Sequence, residues 1–147
     1  MMRFSVLLLL LTSTLLAQSQ TRVRLKEADT LSGAVVDGRD ITRLIGDVWL
    51  IQGTTNIRCD SAYLDKVYNT AKAYGNVRII DLSDSIDVRS EYLEYDGSTR
   101  IAKLRDSVIL KDNTGVLYTD FLDYALIVEI GYYQGGGLLV DAVNEDY

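Results

Sequence analysis

The chain has 147 residues, 15 basic and 21 acidic side chains, a net charge of −6, no histidine, no proline and one cysteine. That length gives room for one domain, and the acidic balance speaks against nonspecific nucleic-acid binding, which needs a basic face. One cysteine excludes an internal disulfide, and the missing histidines remove the commonest zinc ligand and general base.

Residues 1–17 read as a secretory signal peptide. Arg3 gives a short positive start, Val6 to Leu11 is an unbroken apolar run, and Ala17 closes a small-residue cleavage site before Gln18. The apolar run falls short of the ~20 residues that span a bilayer. The residue directly after the cleavage point is Gln18 and not a cysteine, which argues against a lipoprotein anchor. Losing Arg3 with the leader takes the mature chain from −6 to −7. Residues 18–27 are polar and mixed in charge and read as a flexible lead-in. The domain proper is expected over 28–147.

Residues 28–36 suit a first strand, and Asp37-Gly38 a tight turn. Then comes RLIGDVWLIQG at 43–53, which returns as KAYGNVRIIDL at 72–82 and KLRDSVILKDN at 103–113. Each copy sets a turn-prone pair before a valine: Gly46-Asp47-Val48, Gly75-Asn76-Val77, Asp106-Ser107-Val108. A second word, Tyr63-Leu64-Asp65, Tyr92-Leu93-Glu94 and Phe121-Leu122-Asp123, recurs in step. A repeat of about 30 residues is one supersecondary unit that needs its neighbours to bury its apolar face.

Alternation assigns the faces. Leu44, Gly46, Val48 and Leu50 point one way, as do Ala73, Gly75, Val77 and Ile79, then Leu104, Asp106, Val108 and Leu110. The opposite face carries Arg43, Lys72, Arg78, Lys103 and Arg105, so one side is core and the other mostly solvent. Partner strands fall at 57–65, 86–95 and 116–124, with polar loops between. Ile86, Val88 and Ser90 share a face from which Leu93 departs, which predicts a bulge near Ser90. Two turns per repeat make an antiparallel meander; the class is all-β. Beyond Tyr124, residues 127–133 and 138–142 offer further strands around Gly135-Gly136-Gly137. No polar capping unit follows. Either the last strand is an exposed edge, or the chain is the front part of a longer protein.

The words LIGDVWLIQG, AYGNVRII, SEYLEYDGSTRIAKLRDSVIL and TDFLDYALIVEIGYYQGGG resemble the OstA-like family over residues 28–140. That family includes LptA, the periplasmic bridge component of lipopolysaccharide transport, and the N-terminal domain of LptD. The resemblance implies a twisted, partly open, repeat-built antiparallel β-jelly roll. Its apolar interior would hold the acyl chains of lipid A, and its end strands would pair with homologous jelly rolls or with copies of itself. The implied place is the periplasm, in association with the outer membrane. No cofactor is expected, the acidic balance speaks against nucleic acid, and the missing histidines, single cysteine and lack of a D-x-D-x-D-G loop speak against a metal. On that reading Val48, Leu50, Val77, Ile79, Val108 and Leu110 line the lipid site, and Leu138, Leu139 and Val140 form an assembly edge.

Two other readings stand beside it. One is a structural or adhesive repeat protein with a filled core. The other is a glycan-active enzyme drawing a carboxylate pair from Asp60, Asp65, Asp84, Asp87, Glu91, Glu94, Asp120 and Asp123. Repetition of Asp65, Glu94 and Asp123 at one repeat position argues for structure instead. Cys59 reads as a small buried apolar residue. The tyrosines at repeat positions (Tyr63, Tyr92, Tyr95, Tyr124) read first as strand-packing residues and second as the rim of a lipid groove.

Overall fold

In the computed structural model, residues 21–141 are described. The signal-peptide reading and the last six residues lie outside them. Ten strands form one antiparallel sheet: β1 Arg24–Glu27, β2 Thr30–Val36, β3 Arg39–Gln52, β4 Thr55–Asp65, β5 Thr70–Asp81, β6 Ile86–Asp96, β7 Ile101–Lys111, β8 Gly115–Ala125, β9 Ile130–Tyr133 and β10 Gly137–Asp141. β3 to β8 follow one another as a meander. At one end β1 and β2 share the edge of β3; at the other β9 and β10 share the edge of β8.

Each long strand serves two half-sheets. The pairing slips by one residue in the middle of every strand pair from β3 to β8. The extra residue sits each time in the odd-numbered strand, at the pair before the repeated valine. Gly46 and Asp47 have φ of 80° and 43°, Gly75 and Asn76 76° and 46°, Asp106 and Ser107 66° and 50°. Consecutive residues in the left-handed region turn the strand sharply, so one row of bulges creases the whole sheet. We call the part holding β2, β9 and residues 39–45 of β3 the upper half-sheet. The part holding β1, β10 and residues 48–52 is the lower.

Three readings are corrected, the first two by this crease. Gly46, Gly75 and Asp106 do not face the core. A side-chain carbon on Gly46 would run into the Asp29 side chain, one on Gly75 would lie 2.6 Å from Asp60 Oδ2, and Asp106 is exposed. The slip near Ser90 is present, but its extra residue belongs to β5 and β7; on β6, Ser90 and Leu93 both point inward because the strand turns the corner between them. The second repeated word is also shifted in its first copy. Register puts Tyr63, Lys72, Glu94, Lys103 and Asp123 in one outward row, so Tyr63 corresponds to Glu94 and Asp123. Lower turns of unequal length absorb the difference: residues 53–54, 82–85 and 112–114.

Four residues of the expected flexible lead-in are instead β1, held against Trp49–Ile51 of β3. Leu25 pairs opposite Leu50 and Val23 is buried, so this segment buries apolar surface that a charge-based reading overlooks. The inward residues of both halves make one apolar cluster. Leu44, Val48, Leu50, Leu93, Leu104 and Leu122 have no exposed surface at all. Each such aliphatic side chain contributes roughly 1.5–3 kcal/mol over leaving it in water.

The acidic residues chiefly build turns and bulges. Asp65 accepts the amides of Val67 and Tyr68, Asp96 those of Ser98 and Thr99, and Asp112 those of Thr114 and Gly115. Asp60 accepts from the Asn76 side chain and Asp120 from the Ser107 amide at the bulges. These are the Asx roles that recur with any turn-built repeat.

Candidate functional site

Because strands stay in register, inward side chains form continuous rows. In the lower half-sheet one row runs Leu25, Leu50, Ile57, Ile79, Val88, Leu110, Leu117, Leu139, one residue from each strand in turn. In the upper half-sheet the facing row runs Leu31, Leu44, Ala62, Ala73, Leu93, Leu104, Leu122, Tyr133. Both rows cross the molecule from end to end. Their middles are buried, while Leu31, Leu139 and Tyr133 at the ends are 58%, 62% and 46% exposed. The interior is therefore an apolar channel filled by its own side chains and open to solvent at each end.

The six residues expected to line a lipid site all lie on this inner surface. Leu50, Ile79 and Leu110 belong to the lower row; Val48, Val77 and Val108 stand next to the crease. Five are at most 1% exposed, and Leu110 is half-buried against the core. The expected edge residues divide. Leu139 faces the interior opposite Leu117, whereas Leu138 and Val140 face outward opposite Tyr118 and Val116. All three sit on β10, which pairs with β8 on one side only among the described residues.

Opposite the crease, the turns of the two half-sheets meet along a seam. Polar side chains stitch it. The Tyr95 hydroxyl donates to Gln52 Oε1 at 2.6 Å, and Gln52 Nε2 donates to the carbonyls of Gly97 at 2.7 Å and Thr21 at 2.6 Å. Arg100 Nη2 donates to Thr55 Oγ1 at 2.6 Å and lies 3.8 Å from Asp81 Oδ2. Near β1, the Val23 amide donates to Asn69 Oδ1 at 2.8 Å. Gln52, Thr55, Asp81 and Asn69 are all buried. Burial alone would raise the Asp81 carboxyl, but hydrogen bonds from Ser83, Thr55 and Thr54 outweigh it and hold the group below the ordinary carboxylate range. Burial raises the Tyr95 hydroxyl, so it stays a donor.

Sequence reasoning missed this seam. Its one signal was Gln52, a polar residue continuing the inward alternation of Val48 and Leu50. Strand packing accounts for Tyr95 in the sequence, but its hydroxyl partner lies 43 positions away.

A model of the family described as OstA-like protein matches residues 20–145. The chain belongs to the OstA-like family. Among solved structures it resembles LptH, described as the LptA homologous periplasmic component of the conserved lipopolysaccharide transport device from Pseudomonas aeruginosa. The TM-score is 0.68 at 14% identity, over 84% of this chain and 96% of that one. At that identity the likeness speaks for the fold. No curated protein matches. This OstA-like chain thus has the antiparallel all-β sheet that its repeats implied, in the twisted open roll that the family resemblance implied.

Proposed function

We propose that this OstA-like protein is a periplasmic carrier or bridge in lipopolysaccharide transport, without catalytic chemistry of its own. The observation that carries this is the pair of apolar rows running the length of the roll and surfacing at both open ends. Acyl chains of lipid A lie against those rows, with Val48, Leu50, Val77, Ile79, Val108 and Leu110 among the lining. Since these side chains now touch one another, uptake requires the half-sheets to part along the seam and swing about the crease. Glycines and left-handed residues concentrated in that crease suit a hinge. The exposed edges of β1 and β2 at one end and β9 and β10 at the other add strands from a neighbouring roll, so the ends continue the channel from one unit to the next. Such contacts do not close, and open series of oligomers result.

The filled interior favours a second reading, a structural roll whose core never opens. Native mass spectrometry of protein purified from a lipopolysaccharide-producing host separates the two. Co-purifying lipid A supports the carrier. A clean apo mass, unchanged after incubation with lipopolysaccharide, rejects it. Val77→Asp places a carboxylate in the lining and is expected to abolish lipid binding or folding, while Arg43→Asp on the exposed outer face leaves both intact. For assembly, sedimentation across concentration is expected to show a ladder of sizes that shrinks in Leu138→Lys.

A further inference from the structure

The outer surface of the lower half-sheet is basic in a chain whose net charge is −6. Arg58, Arg78 and Arg89 lie directly opposite one another on β4, β5 and β6. Lys26 and Arg58 stand over the Trp49 ring, 3.7 and 3.9 Å from its centre, and extend the row toward β1. Arg24 and Lys111 occupy the neighbouring outward row. Against these six cations the same face carries two carboxylates, Glu27 and Asp87. Asp87 is committed: it accepts from Arg78 Nε at 3.0 Å and Nη2 at 2.7 Å, and lies 4.0 Å from Arg89. Among the described residues no carboxylate pairs with Arg58.

Like charges directly opposite on a sheet destabilise it. Within the sheet Asp87 offsets Arg78 and Arg89, while Arg58 has the Trp49 ring and no carboxylate, so the row keeps a surplus of positive charge facing outward. Half-buried apolar side chains interleave with them: Trp49, Ile51, Ile80 and Ile109. The result is a flat surface, basic and partly apolar, bordered at the crease by the exposed Asp47, Asp60, Glu91, Asp106 and Asp120. The opposite outer surface lacks this segregation; there Lys72, Glu94, Lys103 and Asp123 alternate in sign along one row.

We propose that this face docks on an anionic phospholipid surface, with Arg58, Arg78 and Arg89 meeting headgroup phosphates and Trp49 at the level of the headgroups. The acidic border along the crease is repelled by the same surface, which favours contact through the basic rows away from the crease. A nucleic acid fits less well: the Trp49 ring face is already covered by Lys26 and Arg58, leaving no platform on which a base would stack. This docking is independent of whether the interior carries lipid.

The test is flotation of the full mature chain with vesicles of phosphatidylglycerol and phosphatidylcholine, against phosphatidylcholine alone. Binding is expected only to the anionic vesicles and is expected to fall as salt rises. At roughly fivefold per basic side chain near an anionic surface, Arg58→Gln with Arg89→Gln lowers partitioning about thirtyfold. Arg24→Gln with Lys111→Gln gives an independent loss, and Arg43→Gln with Lys103→Gln on the other half-sheet leaves binding unchanged. Far-ultraviolet circular dichroism checks that each variant is folded. Equal binding to neutral vesicles, equal binding by folded Arg58/Arg89 variants, or displacement by inorganic phosphate at the ionic strength of a sodium chloride control overturns the proposal. So does displacement by a DNA oligonucleotide that the Arg43/Lys103 variant also binds.

Discussion

Tyr95→Phe removes one oxygen from the seam and changes nothing else in shape. Tyr95 is 1% exposed and Gln52 2%, and their 2.6 Å hydrogen bond joins β6 of the upper half-sheet to the end of β3 in the lower. Losing the donor leaves Gln52 Oε1 buried without that partner, a penalty of about 1–3 kcal/mol. For a domain of this size that corresponds to a fall in Tm of very roughly 4–12 °C. Tyr118→Phe, at 44% exposure on the outer face, serves as the control and is expected to stay within about 0.5 kcal/mol of wild type. Calorimetry and urea unfolding measure both. A second readout comes from function: if the seam is where the roll opens, Tyr95→Phe speeds uptake of a fluorescent lipopolysaccharide while lowering stability. A variant as stable as the Tyr118→Phe control would show that the hydrogen bond is not holding the half-sheets together. Lost stability with unchanged uptake would place the opening elsewhere.

Other outcomes follow from the same geometry. Cys59 is buried, and desolvation, with Asp60 nearby, pushes its thiol up to about 12, so thiol reagents are expected to label it only as fast as the protein unfolds. Asp81, held below its ordinary range, contributes stability that is present above the unfolded value of ~3.9 and is lost as pH falls through the folded value. The stability gap between wild type and Asp81→Asn should therefore narrow below about pH 4 in urea titrations. Gly75→Ala, at φ 76° and facing Asp60, is expected to cost about 1–3 kcal/mol, against little for Gly33→Ala, which meets nothing within 4 Å.

The inner surface was legible in the sequence because alternation is a local property. Val48, Val77 and Val108 follow turn-prone pairs, and that pattern survives whether or not the pair is read as a bulge. What alternation misplaced were the pairs themselves. Gly46 and Asp106 occupy core-facing positions only if the strand runs straight, and positive φ at consecutive residues is not visible in a count of apolar positions. The shifted second word has a different cause. Tyr63-Leu64-Asp65 looks like Tyr92-Leu93-Glu94, yet an alanine at position 62 and a tyrosine at position 95 hold the matching core sites. Similar words two residues apart deceive when the turn between them changes length. The seam lay furthest from view, since Gln52, Asp81, Tyr95 and Arg100 meet only after the sheet folds back on itself.

That fold-back also explains why one chain needs both kinds of polar row. At the crease the strands are continuous, so the backbone itself holds the halves together, and side chains such as Asp60 and Asp120 need only steady the bulges. At the seam no strand crosses, and every link between the half-sheets must come from side chains or turns. An apolar seam would close the roll more tightly, because burying matched aliphatic groups carries no desolvation penalty. A buried polar seam holds by directional bonds that water can replace once it is parted, and Arg100 Nε, buried without a partner in the closed state, would gain one there. Its closed and open states therefore differ less in free energy than those of an apolar closure. Left-handed residues on one side and a water-exchangeable closure on the other are what the proposed opening along the length of the roll, with its strands intact, requires.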